Sequence, residues 1–225
     1  MVVSATTELT APGTPPYKAA AQLALAKATA VHTHWPGSVI LAADTIVELD
    51  GRLLGKPRNA DEAAAMLRDL RGRWHRVWSG LALYGDASEP CALRIVSTDV
   101  RMRSYGDDEV AAYVASGDPM DKAAAYAIQH PRFRPVASVQ GCYANVMGLP
   151  LCELQKMLRA VGIAPPMAAE IACPAYLGIS CVQAWKTTDG APPLSSPGNG
   201  DGANRVGPPQ VVQRQDAESP PDKEV

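Results

Sequence analysis

No run of apolar residues in this chain of 225 approaches the length that crosses a bilayer. Met1 to Pro16 carries neither a basic start nor an apolar stretch ending in small residues, so a secretory leader is not expected. Charge of one sign is lacking too. With 21 Lys and Arg against 23 Asp and Glu, nothing draws the chain wholesale to nucleic acid or acidic membranes, and any polyanion site must be local. C-x-x-C is absent, and the cysteines Cys91, Cys142, Cys152, Cys173 and Cys181 are odd in number. That argues against a disulfide framework or a zinc ribbon and reads as reduced thiols, with Cys173 and Cys181 the pair to watch. A Walker A loop is missing: Gly51 to Lys56 is one residue too short, and Pro57 stands where Ser or Thr would meet magnesium. No internal repeat is found. The expectation is a soluble cytoplasmic protein without nucleic-acid or membrane partners, its core drawn from the nearly half of its residues that are apolar.

What is present is organised around Ala42 to Pro57. The run from Val39 to Val47 has the β-branched content of a buried strand, yet Asp44 and Thr45 interrupt it. Taking a carboxylate out of water costs several kcal/mol unless a cation, a metal or hydrogen-bond donors replace its hydration. Asp50-Gly51 is a two-residue turn signal, so Arg52-Leu53-Leu54 should run back and return Lys56 towards Asp44. An acid facing a lysine suits a metal-chelated phosphate first, with a structural ion pair that does no chemistry as the weaker alternative.

Tyr17 to Val31 is alanine-rich and reads as helix, with Lys27 in its last third as an ordinary solvated lysine. His32 and His34, two apart, do not share a helix face and are not expected to form a metal pair. Asn59 is placed as an N-cap with Glu62 three residues on, ahead of the stripe Ala63, Met66, Leu67 and Leu70 that Gly72 ends. Strands are predicted over Trp74 to Tyr84, Leu93 to Met102 and Val136 to Val139, and a short helix over Asp107 to Ala115. Asp121 and Lys122 follow the Gly117-Asp118-Pro119 turn, as a solvated cap or as site residues. Gly141 to Asn145 reads as a turn, and Pro150 opens a helix with the stripe Leu151, Leu154, Leu158 and Val161. These elements make an α/β domain over residues 1–164. Residues 165–225, rich in Pro and Gly, are expected to be a largely disordered tail.

ADTIVELDGRLLGKP, DEAAAMLRDLRGRWHRVWSGLAL, SGDPMDKAAAYAIQ and GCYANVMGLPLCEL, in that order and spacing, closely resemble the Maf family of nucleoside triphosphate pyrophosphatases. The resemblance implies a Maf/ITPase-like α/β fold: an elongated mixed sheet with flanking helices, a cleft between two lobes, and a homodimer. It implies hydrolysis between the α and β phosphates of dTTP, UTP or related modified nucleotides, with a divalent cation, Mg or Mn. Matched by motif, Asp44 is the general base. Lys27, Lys56 and Lys122 lie near the phosphates, Thr45 sits at a position linked to substrate choice, and Gln129 follows the I-Q of the dTTP and UTP branch. Asp44, Asp121 and, more loosely, Glu8 match the metal site.

Three departures from the family pattern stand out. Met1 to Ser4 carries nothing like the S-x-S-P-R-R loop, so the chain is expected to start downstream of that segment. Ala124 replaces a glycine and is expected to crowd the nucleotide, and His130 replaces the glycine that often follows I-Q. A catalytically impaired relative acting as an interaction protein in cell division is the competing expectation.

Overall fold

The computed structural model describes residues 11, 13–85 and 90–178. Helix α1 (Pro16–His32) opens with proline at its first position, where no intrahelical N–H is needed. Strand β1 (Ile40–Leu49) reverses through Asp50 (φ 50°) and Gly51 (φ 77°) into β2 (Arg52–Leu54), pairing Leu49 with Arg52. Positive φ at both turn residues is the geometry that matches strand twist, which is why Asp-Gly stands there. Helix α2 (Ala60–Leu70) is capped by the Asn59 side chain, which accepts from the Glu62 N–H at 2.9 Å. The Glu62 carboxylate turns back to the Arg58 N–H at 2.7 Å, one residue earlier than a standard capping box.

Strands β3 (Trp74–Tyr84) and β4 (Pro90–Met102), helix α3 (Asp107–Ala115), two 3₁₀ turns (Asp118–Asp121 and Ala123–Ala125) and β5 (Val136–Gln140) follow, then helices α4 (Tyr143–Val146), α5 (Leu151–Ala160) and α6 (Ala169–Leu177). The sheet order is β2-β1-β3-β4-β5. All four pairings are antiparallel, so the parallel pair that a mixed sheet requires does not occur among the described residues.

Both faces of the sheet are covered, as expected of a strand like β1 in which Ile46 and Val47 are both buried. One face packs Val47, Leu49, Val77, Val100 and Met102 against Leu67 and Leu70 of α2 and against Tyr105, Tyr113 and Phe133. On the other face lies α1, whose Ala19, Ala20, Ala24 and Ala28 are fully buried. Small side chains let that helix sit close to the sheet, and Gly80 lets it sit closer still. A Cβ at Gly80 would come within 2.3 Å of the Ala20 carbonyl oxygen.

Two sequence expectations change here. The run predicted to turn at Gly141 to Asn145 closes into helix α4. The α5 stripe Leu151, Leu154, Leu158 and Val161 is half-buried, while Gln155 and Met157 lie deeper: Met157 packs against Leu81, Leu83 and Ala92 of the sheet, and α6 covers Gln155. Gln155 Oε1 accepts from the Ala169 N–H at 2.7 Å, and Ala169 and Cys173 are buried. Ordered structure therefore continues past Pro165 through Leu177. Cys181 and the rest of the predicted tail lie outside the described residues.

Candidate active site

Strand β2 pairs with β1 from Val47 to Leu49. From Ile40 to Ile46 that edge of β1 has no strand partner among the described residues. Asp44 and Thr45, adjacent on a strand, point to opposite faces. Across an open edge both can still line one cavity. A groove of about 340 Å³ does run there, lined by Lys27, Asp44, Thr45, Lys56, Asp121, Lys122 and Gln129 together with Tyr126, Met147 and Gly148. Every site residue expected from the sequence and lying in the described region thus borders one space, though they come from five separated segments. Glu8 lies outside the described residues.

The partner of Asp44 is not the one that the hairpin suggested. Lys27 Nζ donates to Asp44 Oδ1 at 2.5 Å, with the two side chains 33% and 14% exposed. Helix α1 crosses the sheet over Gly80, which is paired with Asp44, and this delivers Lys27 to the carboxylate. Lys27 is therefore no ordinary surface lysine. Lys56, placed beyond β2, borders the same groove without a protein hydrogen bond among the described residues.

Lys122 is held from two sides, donating to the Asp118 carbonyl at 2.8 Å and to Asp121 Oδ1 at 2.7 Å, with Asp118 Oδ1 at 3.2 Å. Burial works against its charge, but the hydrogen bonds it donates to Asp121 and Asp118 prevail and its pKa rises. Asp121, mostly exposed, is drawn below the ordinary carboxylate range by its bond to Lys122. Asp118 is lowered as well. Burial alone would raise it, but the Tyr113 hydroxyl, which donates to Oδ2 at 2.6 Å, and Lys122 outweigh that cost.

Ala124 corrects an expectation. It adopts a left-handed conformation (φ 57°), as does Ala125 (φ 59°), and its N–H donates to the Gly55 carbonyl at 2.9 Å. Its methyl is fully buried in the core beside α2 and does not line the groove, so it does not crowd that space. His130 turns away likewise. Its Nδ1 accepts from the Phe133 N–H at 2.9 Å and its ring packs on Tyr113.

Several residues near the groove had no signal in the sequence. Tyr126 lines it, and its hydroxyl pairs at 2.7 Å with Nε2 of the buried His75, whose pKa burial pushes down to about 4. Thr45 Oγ1 lies 2.7 Å from Ser79 Oγ and 3.5 Å from the Gly148 carbonyl. An acid on an open strand edge, flanked by three lysines, can orient a water and neutralise a polyphosphate.

Comparison with known protein families matches residues 1–161 to the family described as Maf-like protein. A dTTP/UTP pyrophosphatase of Thermomicrobium roseum is 48% identical over 147 residues, 65% of this chain and 66% of that protein, just under two thirds of its length. Proteins of the same name from Dictyoglomus thermophilum (40% identical, 62% of this chain and 72% of that protein) and Anaeromyxobacter dehalogenans (44%, 72% and 82%) are also similar.

Proposed function

Because the chain belongs to the Maf-like protein family, with residues 1–161 matching it, we propose that it is a nucleoside triphosphate pyrophosphatase acting on dTTP, UTP or related modified nucleotides. The observation that carries this reading is the convergence of Asp44, Lys27, Lys56 and Lys122 on one groove. Water attacks the α-phosphorus and gives its proton to Asp44. The bond from that phosphorus to the α,β-bridging oxygen breaks, and its electron pair leaves with pyrophosphate, leaving the nucleoside monophosphate. Lys27 orients the Asp44 carboxylate and, with Lys56 and Lys122, offsets charge gathering on the leaving group. Thr45 and Gln129 face the base, in keeping with the pyrimidine nucleotides named for the relatives.

No cluster of three or more His, Cys, Asp or Glu occurs among the described residues. Asp44 and Asp121 on one groove suit Mg or Mn arriving with the substrate, since such ions are commonly held by one or two carboxylates plus phosphate oxygens. These two residues would hold the ion, which when bound supplies charge neutralisation at the phosphates. Homodimerisation in the cytoplasm belongs to the same proposal. The exposed Trp35 and Val39 before β1 and Leu41 at its start support a protein interface, and light scattering tests it. No described helix is long and apolar enough to cross a membrane, and the near-neutral charge is in keeping with the absence of a nucleic-acid partner. An impaired interaction protein is not favoured, since the described motif residues remain assembled.

The test is pyrophosphate release from a nucleotide panel with magnesium or manganese. Asp44→Asn should lose about 10²–10⁴-fold in kcat, the usual worth of a positioned base. Wild-type turnover by that variant would remove Asp44 from its role, and no release by folded wild type above a metal-only blank would sink the reading.

A further inference from the structure

One wall of the groove, Val146-Met147-Gly148, belongs to no strand, and Met147 is 43% exposed on it. Its placement rests on a buried polar spine that crosses the sheet beneath it. Thr98 of β4 is 1% exposed and uses its whole hydroxyl valence on residues just ahead of that wall. Oγ1 donates to the Cys142 carbonyl at 3.1 Å, accepts from the Cys142 N–H at 3.1 Å and accepts from Asn145 Nδ2 at 3.0 Å. The same amide nitrogen donates to the Val77 carbonyl at 3.2 Å. Asn145 and Ser79 are both 0% exposed, and the Ser79 hydroxyl reaches the Asn145 carbonyl at 3.4 Å while pairing with Thr45. The spine thus runs from β4 through the Asn145 turn and β3 to Thr45, inside the groove.

Such an arrangement is costly in the middle of a core. Asn145 Oδ1 is buried with no hydrogen-bond partner among the described residues, a loss that an apolar residue of similar size would avoid. Gly141, at φ 128°, is strained for any other residue and tight for a Cβ, which would fall 3.0 Å from Thr98 Oγ1 and 3.2 Å from the Ser97 carbonyl. Backbone and side chains are committed together to holding this turn against β4.

We propose that Thr98 is a positioning residue for nucleotide binding, acting through Asn145 to set the wall formed by Val146, Met147 and Gly148 and the Thr45 hydroxyl beside it. Thr98 itself does not touch the groove. This rests on the pyrophosphatase reading above. Removing the hydroxyl while keeping the volume takes one of its two acceptors from the Asn145 amide and both Thr98 bonds from the Cys142 backbone, and the turn then shifts to find other partners.

The experiment is steady-state pyrophosphate release from dTTP by wild type, Thr98→Val, Thr98→Ser and Ser79→Ala, with thermal melts of each. Thr98→Val should raise KM roughly tenfold, the scale of an orphaned buried donor, with kcat within about twofold. Thr98→Ser should restore wild-type KM. A residue that served stability alone would lower the melting temperature of Thr98→Val and leave KM unchanged, and that result overturns the proposal, as does equal KM in the Val and Ser variants. Should Thr98→Val not fold, Ser79→Ala decides: a several-fold rise in KM supports the spine, and an unchanged KM refutes it. A silent wild type would overturn the pyrophosphatase reading and this inference together, whereas an active wild type with unmoved variants overturns this inference alone.

Discussion

Replacing Gly80 with alanine puts the link between helix packing and chemistry at risk in one step. The new methyl would meet the Ala20 carbonyl oxygen at 2.3 Å and Ala21 Cα at 2.8 Å, where ordinary contact begins near 3.4 Å. Both neighbours are backbone, so no side chain can swing aside. Helix α1 has to lift by about 1 Å, and its fully buried alanines leave no slack on the sheet. Overpacking of this kind costs about 1–3 kcal/mol. For a domain of this size that lowers the melting temperature by about 2–12 °C. Lys27 rides on the same helix two turns further on, so its 2.5 Å bond to Asp44 lengthens with the shift. A misplacement of about 1 Å in a reacting group costs on the order of 100-fold in rate. Calorimetry and pyrophosphate release from dTTP measure the two effects. Gly106→Ala, where a Cβ meets nothing within 4 Å, is the control and should retain activity. If Gly80→Ala melts and turns over as wild type does, the close approach of α1 does not set the Lys27–Asp44 geometry and the reasoning fails.

Asn59→Ala removes the cap on α2 and should cost about 1 kcal/mol, read from a urea melt at unchanged activity. The folded-state pKa of His75 lies near 4, below its unfolded value of about 6.5. The unfolded chain therefore binds the extra proton first: this stability is fully present above about pH 6.5 and is lost as pH falls towards 4, a change of about 3 kcal/mol. In His75→Phe the slope of stability against pH over that window should flatten; an unaltered slope would show that His75 is not its source. Ala124→Gly relieves a left-handed alanine, worth about 1–2 kcal/mol. It also loses a buried methyl and loosens the unfolded chain, about 0.8 kcal/mol and 0.4–1 kcal/mol, so stability should move by less than about 1 kcal/mol. Activity should stay level, and a tenfold gain would mean that the methyl does obstruct the nucleotide after all.

Local chemistry was legible before any coordinates. Asp-Gly demanded a tight hairpin, Asn59 an N-cap, the alanine run a helix and the Asp107 to Ala115 pattern another, because each depends on residues within a turn or two of one another. Asp44 announced itself as an acid out of place in an apolar run, and the motifs marked Lys27, Lys56, Lys122 and Gln129 as its company. The tertiary structure decided which lysine meets Asp44. The hairpin pointed to Lys56, but Lys27 reaches the carboxylate because Gly80 lets α1 settle on the sheet, a fact written in a residue far from both. Thr98, Ser79 and Asn145 read as an ordinary strand and turn until α4 packed against β3 and β4 and brought Asn145 to both hydroxyls. Ala124 seemed an obstruction until its left-handed backbone turned the methyl inward. Sequence determines what each segment can do alone; which side chains share a space depends on packing between segments distant along the chain, and no local pattern encodes it.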